Sequence, residues 1–148
     1  MKRSDHRSEI FRVEVGDWGQ WQMLAAAIRQ EVFVLEQLVP LEEEIDALDA
    51  QCVHAVAFDP LGAAVATGRL LPDGHIGRMA VQKPFRGQGA GSAVLTALTQ
   101  VAREKGFTEV VLSAQTHALG FYVGHGFIAE GREYLDANIP HVLMRKPL

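Results

Sequence analysis

Only one cysteine, Cys52, occurs in the 148 residues. An intrachain disulfide is therefore impossible and a cysteine-rich metal site is excluded. A reducing, cytoplasmic compartment is the natural expectation. No run of about 18 apolar residues is present, so no helix is expected to span a membrane. Residues 1–9 are polar and charged and lack the apolar stretch of a secretory signal. An excess of basic charge is missing too: the formal net charge is -4, which argues against a general nucleic-acid binder. The six histidines are scattered without metal-ligand spacing, so no metal is expected. Internal repeats, linkers and low-complexity segments are also absent.

What is present has the balance of an ordinary globular domain, with 48% hydrophobic and 22% charged residues. A chain of this length buries roughly 68–70% of its unfolded surface, enough for one core. A flexible tail is expected over residues 1–9 and a single domain over 10–148. Residues 10–15 alternate apolar and polar, as a half-buried strand does. Gly16 breaks the strand, and Asp17 with Gln20 resembles a capping box. Trp21, Leu24, Ile28 and Val32 recur at helical spacing, and the helix continues or kinks through Phe33 and Leu35 until Pro40 ends it. Residues 41–51 are acidic and read as a loop or a short helix.

Strands are expected over 53–58, 63–71 and 75–82, separated by Asp59-Pro60-Leu61-Gly62 and Pro72-Asp73-Gly74 turn signals. A helix over about 89–105 carries the stripe Ala90, Val94, Ala97, Leu98 and Val101, and Gly106 closes it. A strand over 109–113, a short helix over 117–125 and strands over 127–130 and 141–146 follow, the last two joined by a loop containing Asp136, Asn138 and Pro140. Three consecutive strands predict an antiparallel meander, and the strand-helix-strand over 75–113 predicts one parallel crossover. The fold class is α/β of the mixed α+β kind: a mixed, mostly antiparallel sheet with helices on both faces.

Between residues 75 and 95 a strand, a glycine-rich turn and a helix start follow one another. Gly87, Gly89 and Gly91 remove side chains where a backbone must approach a ligand closely. The first N–H groups of the helix have no internal partner, and the macrodipole favours an anion there by ~0.3–1 kcal/mol. Such a site suits phosphate, and Arg86 adds a positive fork. A Walker loop would need Gly-Lys-Ser/Thr, but Gly91 is followed by Ser92-Ala93. A G-x-G-x-x-G fingerprint counted from Gly87 or Gly89 puts Ser92 or Val94 where its last glycine belongs.

Arg86-Gly87-Gln88-Gly89-Ala90-Gly91 resembles the R/Q-x-x-G-x-G/A signature of the GNAT superfamily of N-acetyltransferases. Gly77-Arg78-Met79-Ala80-Val81 resembles the strand before that loop, and the stretch from Ala118 to Phe127, with Phe121-Tyr122 and Gly126-Phe127, resembles a later element of the family. Arg29, Val32-Phe33-Val34, Glu36-Gln37, Pro40, Glu44, Asp46, Asp49 and His54 are similar to the small bacterial ElaA-like branch.

The resemblance implies the acyl-CoA N-acyltransferase fold and transfer of an acetyl group from acetyl-CoA, as cosubstrate, to a primary amine in a ternary complex. The acceptor would be a small-molecule or peptide amine, with no nucleic acid, membrane or metal involved; a homodimer accords with family habit. Amides of Arg86, Gly87, Gln88, Gly89, Ala90 and Gly91, with Ser92, would hold the pyrophosphate. Met79, Ala80 and Val81 would pair with the pantetheine arm and polarise the thioester carbonyl. Tyr122 matches the tyrosine facing the departing sulfur.

Reference pKa values of about 10 for a phenol and about 8.5 for a thiol make full proton transfer uphill by roughly 2 kcal/mol, so Tyr122 reads as a hydrogen-bond donor or relay. Presenting a lysine-like amine neutral at pH 7 costs about 4.6 kcal/mol, which a general base would offset. Glu36, Glu44, Asp46 and His54 are the candidates, and the sequence does not choose among them. The acidic run from Glu42 to Asp49 either steers a cationic amine or is a solvated face. Cys52 lacks the cationic partner or helix N-terminus that would make it a nucleophile. The substrate cleft is expected from residues 29–49 and the loop over 136–141. A non-catalytic CoA or acyl-CoA sensor is the alternative from another class, and a nucleotide-phosphate binder is disfavoured by the spacing.

Overall fold

The computed structural model describes residues 10–148, so the tail expected over 1–9 lies outside the described residues. One seven-stranded sheet runs through the structure, in the order β1-β2-β3-β4-β5-β7-β6. Strands β1 (Arg12–Gly16), β2 (Val53–Phe58), β3 (Ala64–Leu70) and β4 (His75–Val81) form the expected antiparallel meander. Helix α3 (Ala90–Glu104) then crosses over, and β5 (Glu109–Gln115) pairs parallel with β4. The helical turn α4 (Leu119–Gly124) leads to β6 (Ile128–Asp136) and β7 (Ile139–Pro147), and β7 lies antiparallel between β5 and β6.

Helices cover both faces. On one, α3 buries Val94, Leu95, Leu98 and Ala102 against Ala55, Ala57, Val65 and Val110. Alanines on β2, fully buried, let the helix axis come close. The buried stripe is turned slightly from the expected one: Ala97 and Val101 are half-buried, while Leu95 and Ala102 lie inside. On the other face, α1 (Trp18–Arg29) covers β2, β3 and β4. Asp17 caps it as expected, its Oδ1 accepting from the Gln20 amide at 2.8 Å. The buried face of α1 differs from the expected stripe, because Leu24 is exposed and Ala25 and Arg29 lie inside with Ile28. A charged residue does not register in a hydrophobic count; Arg29 is buried because carboxylates meet it there.

After Arg29 the chain widens into a π-helical segment, Gln30–Glu36, where the Gln37 amide reaches the Val32 carbonyl. The helix thus continues through Phe33 and Leu35 in π form, and π turns of this kind often accompany functional sites. The short helix α2 (Leu41–Glu44) and a 3-10 turn (Ala47–Gln51) follow, the latter capped by Asp46.

The loop expected over residues 131–140 is instead a continuation of β6 and β7, joined by a two-residue turn at Ala137-Asn138. Both residues have positive φ, 52° and 63°, as a type I′ hairpin turn requires. Asn tolerates this region, whereas an L-alanine there costs roughly 1–2 kcal/mol. Ala137→Gly removes that strain but adds backbone freedom to the unfolded chain, worth roughly 0.5–1 kcal/mol. The expected outcome is a net stabilisation of about 0.5–1 kcal/mol in urea unfolding, and a destabilised variant would contradict the turn geometry.

Candidate active site

The β4–β5 ladder consists of two pairs, His75 with Val111 and Ile76 with Leu112. Beyond Ile76 the strands part. A bulge accounts for the change of direction: Arg78 and Met79 of β4 stand opposite Gly68 alone on β3, and Arg78 takes φ 50°. Gly68 is required for this arrangement, since a Cβ there would lie 2.5 Å from the Met79 sulfur and 2.9 Å from Val94. The parting opens a cleft of about 1360 Å³, lined by Gly77 to Val81 on one side and by Leu112, Ser113 and Gln115 on the other.

At the C-terminal end of β4 the chain turns through Lys83–Phe85 into the glycine-rich loop. Gly89, at φ 98°, is the N-cap of α3, and no side chain caps this end. The first-turn N–H groups of Ala90, Gly91 and Ser92 therefore have neither an intrahelical partner nor a side-chain cap, and all three residues line the cleft. Gly91 packs closely, with Val81 and Phe121 about a van der Waals contact from where a Cβ would stand.

Arg86 is positioned differently from the expectation that its fork faces phosphate. Its Nη1 and Nη2 donate to both Glu36 oxygens at 2.6 and 2.8 Å, and Nε donates to the Val81 carbonyl at 2.9 Å. Its backbone N–H closes the preceding turn onto Lys83. Arg86 thus shapes the loop and ties it to the π-helical segment. The bidentate bond and the guanidinium charge hold Glu36 below the usual carboxylate range. Gln88 braces the loop by donating to the Pro84 carbonyl. Ser92 Oγ meets His125 Nε2 at 2.8 Å, a partnership that spacing along the chain did not signal.

Tyr122, on α4, is 8% exposed and lines the cleft. Phe121 and Phe127 pack edge-on against its ring. Burial pushes the phenol up to about 12, so it stays protonated at neutral pH and keeps its O–H available to donate. Proton transfer from it to a thiolate is then uphill by about 5 kcal/mol, which strengthens the case for a hydrogen-bond donor.

The remaining base candidates belong to a cluster of three arginines and three carboxylates, buried except for the half-buried Arg78 and Asp46. Arg29 Nε donates to Glu44 at 2.5 Å, and its Nη1 and Nη2 donate to Asp49 at 2.8 and 3.0 Å. Arg69 donates to Asp49 at 2.8 Å and to Asp46 at 2.7 Å. Arg78 stands further off, 3.6 Å from Asp46 and 3.9 Å from Glu44. His54 lies beneath them, 1% exposed, its Nε2 against the Asp49 carbonyl at 2.9 Å and its ring against Trp18. Burial lowers the His54 pKa. Glu44 lines the cleft, while Asp46 and His54 do not. The acidic run from Glu42 to Asp49 is thus neither purely a solvated face nor a free anionic patch: Glu44, Asp46 and Asp49 are neutralised by arginines.

The opposite wall carries polar groups, of which Ser113, Gln115 and Tyr134 were not singled out from the sequence. Gln37 and Gln115 exchange side-chain amide hydrogen bonds at 3.0 and 3.2 Å, and His117 reaches Gln115 at 2.6 Å. Ser113 bonds the Tyr134 hydroxyl. Asp136, Ile139 and His141 from the hairpin end complete this wall, so the two segments expected to form the substrate cleft, 29–49 and 136–141, both border it.

A strand parted beside an uncapped helix N-terminus, with a buried tyrosine lining the same cleft, accords with what the resemblance to the GNAT superfamily implies. The family profile described as acetyltransferase (GNAT) domain matches residues 14–148, and the chain belongs to that family. It is 42% identical over 126 residues to the uncharacterized N-acetyltransferase YjcF of Bacillus subtilis, covering 80% of this chain and 87% of the relative. The crystal structure of an acyl-CoA N-acyltransferase from Pseudomonas aeruginosa superposes with a TM-score of 0.80 at 32% identity, covering 92% of this chain and 99% of the other. Escherichia coli ElaA does so with a TM-score of 0.81 at 25% identity, covering 92% and 99%, in line with the ElaA-like features of the sequence. The chain is therefore an acyltransferase enzyme. No helix among the described residues is long and apolar enough to cross a membrane.

The arginine–carboxylate cluster makes stability depend on acid. Burial opposes ionisation of Asp49, but hydrogen bonds and charge from Arg29 and Arg69 outweigh it and lower its pKa; Leu48 and Arg69 do the same for Asp46. With folded values below unfolded ones, the contribution is complete above roughly pH 4 and is lost as pH falls through the lowered values. Asp49→Ala leaves Arg29 and Arg69 without their shared carboxylate, and a loss of about 3–5 kcal/mol is expected. Urea midpoints at fixed m-value measure it. A variant within a few tenths of a kcal/mol of the parent would show that the cluster carries no such weight.

Proposed function

We propose that the enzyme transfers an acetyl group from acetyl-CoA to a primary amine by direct attack in a ternary complex. The observation that carries this reading is the parting of β4 from β5 next to the uncapped start of α3. The parted stretch Met79, Ala80 and Val81 would run beside the pantetheine arm, and a backbone N–H there would polarise the thioester carbonyl. The pyrophosphate would rest on the loop from Arg86 through Gly87, Gln88, Gly89, Ala90 and Gly91 to Ser92. In that loop, amides of the first turn of α3 supply donors and Arg86 supplies shape. When bound, the thioester supplies an activated acyl group. Tyr122 donates a hydrogen bond toward the leaving sulfur.

Direct attack accords with the position of the single cysteine. Cys52 is buried, its thiol is pushed up chiefly by burial, Sγ donates to the Leu48 carbonyl, and it does not line the cleft. An acyl-cysteine relay therefore has no thiol to use. The acceptor is a small-molecule or peptide amine entering between the π-helical segment and the β6–β7 hairpin end. Glu44, Asp46 and His54 serve this reading best as the scaffold beneath that entrance, since ion pairs or burial already occupy them.

Thermal shift with acetyl-CoA, CoA, ATP and NAD, followed by thiol release with spermidine, a lysine-containing peptide and n-propylamine, tests the reading. Stabilisation by acetyl-CoA and CoA with amine-dependent thiol release is expected; stabilisation by ATP but not CoA would overturn it. Tyr122→Phe removes a hydrogen bond to a developing anion, worth about 1.5–3 kcal/mol. Its kcat should fall about 10–100-fold with CoA affinity unchanged. Because the phenol titrates only near 12, its ionisation should cause no loss of activity between about pH 8 and 10.

A further inference from the structure

Acetyl transfer to an ammonium needs a proton acceptor in the cleft, and the following assignment rests on that reading of the site. His141 of β7 lies directly across from Gln115 of β5. It is 8% exposed and borders the cleft. Its Nδ1 lies 2.6 Å from the Ile139 carbonyl oxygen. A carbonyl only accepts, so Nδ1 carries the hydrogen, and a neutral imidazole in that tautomer has its lone pair on Nε2. Nε2 has no hydrogen-bond partner among the described residues and is not among the polar atoms sealed from solvent. The ring is further fixed by stacking at 6.1 Å on Tyr134, whose hydroxyl is itself held by Ser113.

The other groups facing the cleft are less suited: Glu43, Asp73 and Asp136 border it as exposed carboxylates. Glu44 is bonded to Arg29 and Glu36 to Arg86, so protonating either would strip an arginine of its partner. His117 is exposed and its Nε2 is engaged by Gln115. His75 is exposed beside Asp73.

We propose that His141 Nε2 is the base that takes the proton from the incoming ammonium. One N–H proton passes to Nε2, and the freed lone pair attacks the thioester carbon, forming the C–N bond. The C–S bond then breaks, the sulfur leaving against the Tyr122 hydroxyl. A second nitrogen proton ends on the thiolate as free thiol, and the imidazolium returns its proton to water. The sum is ammonium plus thioester giving amide, thiol and one proton.

His141→Asn tests this, because an asparagine amide can still donate to the Ile139 carbonyl while Nε2 is gone. Two probe acceptors separate the roles: n-propylamine, an ammonium at neutral pH, and hydroxylamine, already largely neutral there. We expect kcat/KM for n-propylamine to fall about 100-fold or more, the hydroxylamine rate to change little, and the acetyl-CoA dissociation constant to stay as in the parent. Equal losses with both nucleophiles, or none with n-propylamine, would overturn the assignment alone. Failure of the parent enzyme to acetylate either nucleophile would sink the transfer reading and this assignment with it. Nitrogen-15 spectra of the labelled parent should show hydrogen on Nδ1 of His141; hydrogen on Nε2 instead would also overturn it.

Discussion

Two residue pairs are all that join β4 to β5, and the rest of the site follows from the shortness of that ladder. A parallel sheet normally zips its strands along their length; here the bulge at Arg78 and Met79 redirects β4 once the first pairs are made. Past that point the backbone of β4 is still paired to β3 on one side but turns an open edge toward β5. An unsatisfied strand edge inside a protein is costly unless something pairs with it, so the fold presents an extended ligand with the main-chain partner it would need. Gly68 permits the bulge, α3 packs beneath it, and the same strand leads straight into the glycine-rich loop.

The segment over residues 41–51 is held together by charge. Arg29 from α1 and Arg69 from β3 share Asp49, Glu44 from α2 closes the pair on Arg29, and Asp46 closes it on Arg69. Elements with few apolar contacts of their own, the short α2 and the 3-10 turn, are thereby fixed against the sheet. A buried ion cluster of this kind adds little net stability over well-packed apolar groups, but its directionality favours one arrangement of the chain. The part of the cleft wall at Glu44 is therefore built on bonds that have a single good geometry.

Much of the fold was legible because strand and helix periods were clean. The meander, the crossover and the Asp17 cap all lie where alternation and turn residues place them. The hairpin end was not: Ala137 carries no turn signal, and the expected loop hid a tight turn in which Asn138 alone hinted at positive φ. The buried face of α1 was misread because Arg29 is polar, and its partners Glu44 and Asp49 come from 15 and 20 residues away. The glycine loop was picked out by its residue pattern and Tyr122 by the family resemblance, and both line the cleft. The use of Arg86 was not legible, since Glu36 lies 50 residues before it. His141 gave no local cue either; its significance comes from a carbonyl two residues back and a cavity that only the folded sheet creates.

The Arg86–Glu36 bridge gives the glycine loop its shape before any ligand arrives. With Nε held by Val81 and both Nη groups held by Glu36, the loop has little conformational freedom left to lose on association. A ligand bound there, as the proposed function has it, would meet preorganised amides, so complex formation should resemble rigid docking, with lifetime set by the contacts made. Both charged partners are partly exposed, the side chains 38% and 35% accessible, so the rigidity of the loop is tied to ionic strength: in concentrated salt the bridge weakens and the amides regain their freedom.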